Sequence, residues 1–322
     1  MGGTLLAIQD DLQLLDLMME DQQKQPGIYR PGPYWERYQT EITDAIRRYG
    51  LRGFRSRPAI SKPFADGNEN PEWRWTGATG LLKRLARPLM SDYAAAYRKT
   101  SYWRDHWEGK FYSTLGLDTD IETLREGGRA LSINGTPTAE IYILAQLRVR
   151  HFSIGKVRSL FEIGGGFGAL PHLMAAKHGT TQIIYLDIPP ILYVGTQYLR
   201  SFYPDWVVDY RDTRNDTTIR FQGDAPQILC LAPWQIDRLD AHVEMFWNAA
   251  SFSEMTPEIV RNYAAKVSAD RVCLTLTSPE GSQRNASDMD VLNAFGGGFT
   301  DLGPIDAIPP GYSHYVKSRH GI

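Results

Sequence analysis

Cysteine is nearly missing from this 322-residue sequence. The two that occur, Cys230 and Cys273, both fall in apolar, strand-like runs. That rules out a disulfide scaffold and predicts two buried free thiols in a reducing compartment. No paired-cysteine or His-x-x-x-His spacing is present, so no dedicated metal site is expected. No apolar run reaches the length of about 18 residues that a membrane-spanning helix needs, and no signal-peptide pattern opens the chain. A cytoplasmic protein away from membranes is therefore expected. Charge of one sign is lacking too: 35 Lys and Arg stand against 37 Asp and Glu, for a net charge of −2. No global field draws the chain to nucleic acid. No internal repeat is visible.

What is present is ordinary globular material, 42% hydrophobic and 22% charged, organised around residues 157–190. A short apolar run over 157–163 has the length and residue types of a buried strand. It ends in Glu162-Ile163-Gly164-Gly165-Gly166-Phe167-Gly168. Residues 169–177 predict a helix that tolerates Pro171 in its first turn and stops near Gly179. A second apolar run, 182–186, closes in Asp187. Strand, glycine turn, helix, strand and acid form the front half of a nucleotide-binding α/β domain. A glycine turn lets backbone approach a ligand closely. The helix start offers free N–H groups and a positive dipole end. The second acid can accept hydrogen bonds from ribose hydroxyls.

Two fingerprints overlap here. Gly164, Gly166 and Ala169 satisfy G-x-G-x-x-A, a permitted dinucleotide pattern. Glu162, Gly164, Gly166 and Gly168 satisfy E-x-G-x-G-x-G. A carboxylate at the end of the first strand suits a cationic ligand and opposes a pyrophosphate.

Elsewhere, Leu5, Ile8, Leu12, Leu15 and Met19 recur at helical spacing and predict a first helix whose stripe packs in the core or against a partner. Residues 35–49 predict a second helix. Five arginines between 47 and 57 offer a phosphate or nucleic-acid surface or a plain solvated face. Residues 93–112 are dense in aromatics, which suits either sugar stacking or core. With a helix leading to about residue 152, residues 1–150 make a mainly helical N-terminal cap, used for substrate or for oligomerisation. Residues 151–322 then alternate strands (227–231, 243–246, 271–276, 312–317) with helices. That count predicts an α/β fold, a doubly wound sheet with its ligand at the carboxyl ends of the strands.

FEIGGGFGAL, YLDIPPILYVGTQYL, LAPWQ and WNAASFSEMTPEIVRNYAAKV together resemble the sugar O-methyltransferase family of bacterial S-adenosylmethionine-dependent enzymes. The likeness runs from about residue 160 to 266, is loose over the N-terminal region and fades beyond 278. It implies a Rossmann-like methyltransferase sheet and S-adenosylmethionine as cofactor, with Glu162 near its amino group and Asp187 on its ribose. The implied cofactor contacts are Glu162, Gly164, Gly166, Gly168, Asp187, Ile188, Pro233, Trp234, Gln235 and Asn248. For the adenine, the loop Pro233-Trp234-Gln235 competes with Gly223-Asp224-Ala225. The implied acceptor is a small molecule or glycan bearing a hydroxyl. Its methylation needs alignment and a base, and the candidates are Glu254 and His314. An RNA or other small-molecule methyltransferase and a cofactor-binding protein without turnover remain as alternatives. A homo-oligomer through the N-terminal helices is a further expectation.

Overall fold

The computed structural model describes residues 8–51, 54, 140–277, 284–305 and 311–319. The arginines at 52, 55 and 57 and the aromatic stretch at 93–112 lie outside them. The chain divides into two compact units: Asp10–Thr40 with Ala145–Ile322, and Met1–Gln9 with Glu41–Leu144. Residues 10–40 group with the sheet-bearing residues in the first of these units. The second unit contributes, among the described residues, the later turns of α2 and the first residues of α3, whose ranges follow.

Helix α1 (Leu12–Gln23) starts at Asp11, whose side chain accepts from the Leu14 N–H, satisfying one orphan donor of the first turn. A 3₁₀ turn, Gly27–Tyr29, precedes α2 (Pro33–Tyr49). Then come α3 (Glu140–His151), β1 (Ser159–Ile163), α4 (Ala169–Lys177), β2 (Gln182–Leu186) and α5 (Pro189–Phe202). They are followed by β3 (Val207–Val208), α6 (Tyr210–Thr213), β4 (Gln227–Leu231) and a 3₁₀ turn, Pro233–Arg238. The last part holds β5 (Val243–Ala249), α7 (Ser251–Glu254), α8 (Pro257–Ala264), β6 (Ala269–Thr277), α9 (Asp288–Ala294), β7 (Thr300–Asp301) and β8 (Tyr312–Ser318).

The sheet runs β3-β4-β2-β1-β5-β6-β8-β7. All pairings are parallel except those of β8, which is antiparallel to both β6 and β7. From β1 the chain steps outward through β2 to β4, then crosses back to β5 on the other side of β1. The order thus reverses between β1 and β5, and in such sheets the crevice at the carboxyl ends there takes the ligand. The fold is the doubly wound, Rossmann-like sheet that the residues predict.

Strands β1 and β4 are buried along their whole length, which is why they appear in the sequence as unbroken apolar runs. Strand β5 extends past the predicted 246 to Ala249, so Trp247 and Asn248 are strand residues. On α1 the buried positions are Leu14, Leu15 and Met18, while Leu12 is exposed. This corrects the predicted stripe by a fraction of a turn. The helix packs on α5 of its own chain, so its apolar face is used within the protein. Asp21 anchors it: Arg214 donates through Nε and Nη2 at 2.6 and 2.9 Å, and the Tyr210 hydroxyl at 2.8 Å. The guanidinium beside Asp21 holds its carboxyl down at about 2, so the pair persists across the physiological range. Both cysteines are buried and free. No described helix is long and apolar enough to cross a membrane.

Candidate functional site

The turn after β1 carries Gly164, Gly166 and Gly168, each at positive φ (72°, 60° and 88°). At Gly164 the demand is twofold. The left-handed backbone disfavours any other residue, and a Cβ there would stand 2.2 Å from the Ser251 hydroxyl. That hydroxyl cannot easily leave: it donates to the Ile163 carbonyl at 3.2 Å and accepts from Asn248 Nδ2 at 2.6 Å. Gly164→Ala is expected to cost roughly 1–3 kcal/mol, read as a lower urea midpoint with an unchanged slope.

Two carboxylates face this turn from below. Glu162, at the end of β1, is 4% exposed and its Oε2 has no hydrogen-bond partner. A Cβ on Gly165 would lie 2.3 Å from that oxygen, so the missing side chain is what makes room for the carboxylate. Asp187 accepts from the Gly166 N–H at 3.0 Å and the Ile188 N–H at 2.7 Å. Burial pushes Asp187 up to about 7, against those two bonds. Burial also pushes Glu162 well above the usual carboxylate range, with the Asp187 charge adding to it. Glu254, on the short helix after β5, adds a third acid. Its charge raises Asp187 further, and burial raises its own carboxyl. Asp187 thus raises Glu162 and Glu254 raises Asp187, an unfavourable arrangement until a cation arrives. Among the described residues they form no metal-binding group.

Glu254 is held. Trp35, near the start of α2, donates its indole N–H to Glu254 Oε2 at 2.7 Å. Sequence reasoning could not pair residues 219 positions apart. Tyr185 is a second missed residue: from β2 its hydroxyl reaches the Gly166 and Ile191 carbonyls and buttresses the glycine turn from beneath.

The other predicted residues divide by place. Ile188 follows Asp187 and is half-buried. Pro233, Trp234 and Gln235 follow β4 at the same carboxyl rim as Asp187, and all three are buried. The Trp234 indole donates to Tyr210 at 3.2 Å, and Gln235 caps its own turn through Ala232 N–H while bonding Thr213. The rival Gly223-Asp224-Ala225 precedes β4. Asp224 pairs there with Arg158, just before β1, so that segment sits at the opposite, amino ends of the strands. Asn248 is fully buried and spends its amide inside the protein, on Ile163, Ser251 and Phe252. It ties the ends of β1 and β5 together. His314 on β8 is buried three strands away from β1, with Nδ1 3.2 Å from the Gly303 carbonyl. Burial holds it down at about 4, so its ring is neutral at pH 7.

The sequence matches no described protein family and no curated protein. Solved structures with a similar chain trace include magnesium protoporphyrin IX methyltransferase from Synechocystis PCC 6803 with bound SAM. It shows 11% identity, covers 73% of this chain and 97% of its own, and has a TM-score of 0.35. Human N-acetylserotonin methyltransferase in complex with SAM shows 11% identity, coverage of 87% and 70%, and a TM-score of 0.35. MtNAS in complex with MTA and tNA shows 15% identity, coverage of 90% and 99%, and a TM-score of 0.40.

Proposed function

We propose that this chain is an S-adenosylmethionine-dependent methyltransferase acting on a hydroxyl oxygen, with a sugar or glycosylated small molecule as acceptor. The observation that carries the reading is the pair of buried acids beneath the glycine turn, one with an oxygen left unpartnered. A pyrophosphate would meet like charge there, whereas a ligand with cationic groups relieves the repulsion. Glu162 would face the cofactor's ammonium, Asp187 its ribose hydroxyls, and the turn's backbone would lie along it. The buried loop Pro233-Trp234-Gln235 would bound the adenine. Bound S-adenosylmethionine would supply an electrophilic methyl group on a sulfonium.

The protein's remaining task is to orient the acceptor and take its proton. Glu254 suits this. Burial raises its proton affinity, against the Trp35 hydrogen bond, which makes it a stronger base than a free carboxylate, and Trp35 fixes its direction. His314, held neutral but weakly basic, is the second candidate for that proton. The sugar acceptor rests on the resemblance over residues 160–266 alone. The two buried thiols favour a reducing, cytoplasmic setting.

The test is calorimetry with S-adenosylmethionine, S-adenosylhomocysteine and NAD in parallel. The first two are expected to bind in the micromolar range that such cofactors commonly show, about −8 kcal/mol, and NAD not to bind. NAD binding with neither of the others would overturn the reading.

A further inference from the structure

A second polar group lies on the same sheet, across β5 and β6 from Glu162. Arg148, one turn from the end of α3, is 8% exposed, and its Nε is buried without a hydrogen-bond partner. Its guanidinium carbon sits 5.1 Å over the ring of Tyr312, at the start of β8. Among the described residues no carboxylate pairs with it, and its side-chain partner is the Tyr312 hydroxyl. A guanidinium cannot shed its charge by deprotonating, and burying an unpaired cation is costly.

Two more buried orphans adjoin it. His314 follows Tyr312 by two residues, so both side chains lie on one face of β8. Thr275 on β6 stands directly opposite His314 in register, so the two side chains are neighbours on that face. His314 Nε2 and Thr275 Oγ1 are both buried and unpartnered. The protonation of His314 follows from its other nitrogen. The Gly303 carbonyl, which His151 Nε2 also approaches at 3.2 Å, can only accept. Nδ1 therefore carries the hydrogen, and Nε2 presents a bare lone pair. The His151 ring packs edge-on at 5.1 Å and holds the arrangement.

One donor cation, one hydroxyl and one bare acceptor thus stand together at the end of the sheet where β6 finishes and β8 begins. The geometry points to an acceptor subsite for a carboxylate flanked by a hydroxyl, with Arg148 taking the carboxylate, Thr275 donating to it and His314 Nε2 accepting from the neighbouring hydroxyl. Nε with one terminal nitrogen makes the side-on fork that a planar carboxylate fills. A neutral acceptor would leave the guanidinium without a counter-charge. This deepens the methyltransferase reading and rests on it: the acceptor is a hydroxy acid, of the uronic-acid type if it is a sugar.

The experiment titrates D-glucuronate, glycolate, D-glucose and inorganic phosphate into the full chain, with and without S-adenosylhomocysteine. It is repeated on Arg148→Met and Thr275→Val. Glucuronate or glycolate is expected to bind, and glucose to bind at least about tenfold more weakly. Arg148→Met should lose about 30-fold in carboxylate affinity, the size of a charge-assisted paired contact, while its affinity for S-adenosylhomocysteine stays within twofold. Glucuronate alone binding identifies a sugar acid, and glycolate alone a small hydroxy acid. If Arg148→Met fails to fold, Thr275→Val carries the test through a smaller loss, about threefold, confined to the carboxylates. Undiminished carboxylate binding in a folded variant, binding of phosphate alone, or no carboxylate binding overturns the subsite. Loss of S-adenosylhomocysteine binding by the parent protein would instead strike the cofactor reading, because the carboxylate titrations run without it as well.

Discussion

Glu162→Gln is expected to move affinity and stability in opposite directions. In the proposed complex its carboxylate faces a buried ammonium. Removing one partner of such a pair costs about 2–4 kcal/mol, so S-adenosylmethionine affinity should fall by roughly 100-fold in calorimetry. The unliganded protein should behave the other way. Glu162 is buried with an unpartnered oxygen beside Asp187. A carboxyl whose folded-state pKa lies above its unfolded value binds its proton more tightly when folded. The stability tied to it is complete below about pH 4 and is lost as pH rises through the folded value. Asp187, pushed up to about 7, loses its share around neutrality. The parent protein without ligand should therefore melt lower at pH 8 than at pH 6, and the variant should show a shallower fall. At pH 8 the variant should be the more stable of the two. A variant that binds the cofactor as the parent does, or that melts lower at every pH, would remove Glu162 from the site.

Glu254→Gln should do something different. Its carboxylate is given the acceptor's proton, and loss of a positioned base costs about 100-fold or more in turnover. Conversion of S-adenosylmethionine to S-adenosylhomocysteine, followed with an acceptor that the parent uses, should drop by that amount. Cofactor affinity should stay within about twofold, because the Trp35 indole can still donate to the amide oxygen. Equal turnover in the variant would pass the role to another group.

The difference between these residues also marks what could be read from the sequence. Glu162, Asp187 and the three glycines announce themselves because strand, turn and acid are local: five-residue runs buried on both faces, then backbone that only glycine adopts. Strands β1, β2 and β4 stand where the apolar runs place them. Strands β3 and β7 have two residues each, too few to show a period. Arg148 is silent for another reason. It sits in a helix with two other basic residues in its last turn, and only tertiary packing tells a buried guanidinium from a solvated one. Asn248 has the opposite history: a polar residue at a strand end invites a ligand role, yet its amide bonds entirely within the protein. Trp35 and Glu254 meet across more than 200 positions, a pairing that no local pattern encodes.

The docking of α1 has a consequence for synthesis. Asp21 is made early, but its partners Tyr210 and Arg214 follow 189 and 193 residues later. A chain emerging from the ribosome at about 5–20 residues per second must carry this helix unpaired for roughly ten to forty seconds. During that interval Leu14, Leu15 and Met18 have no α5 to cover them. The apolar face of α1 is thus made well before the helix that covers it.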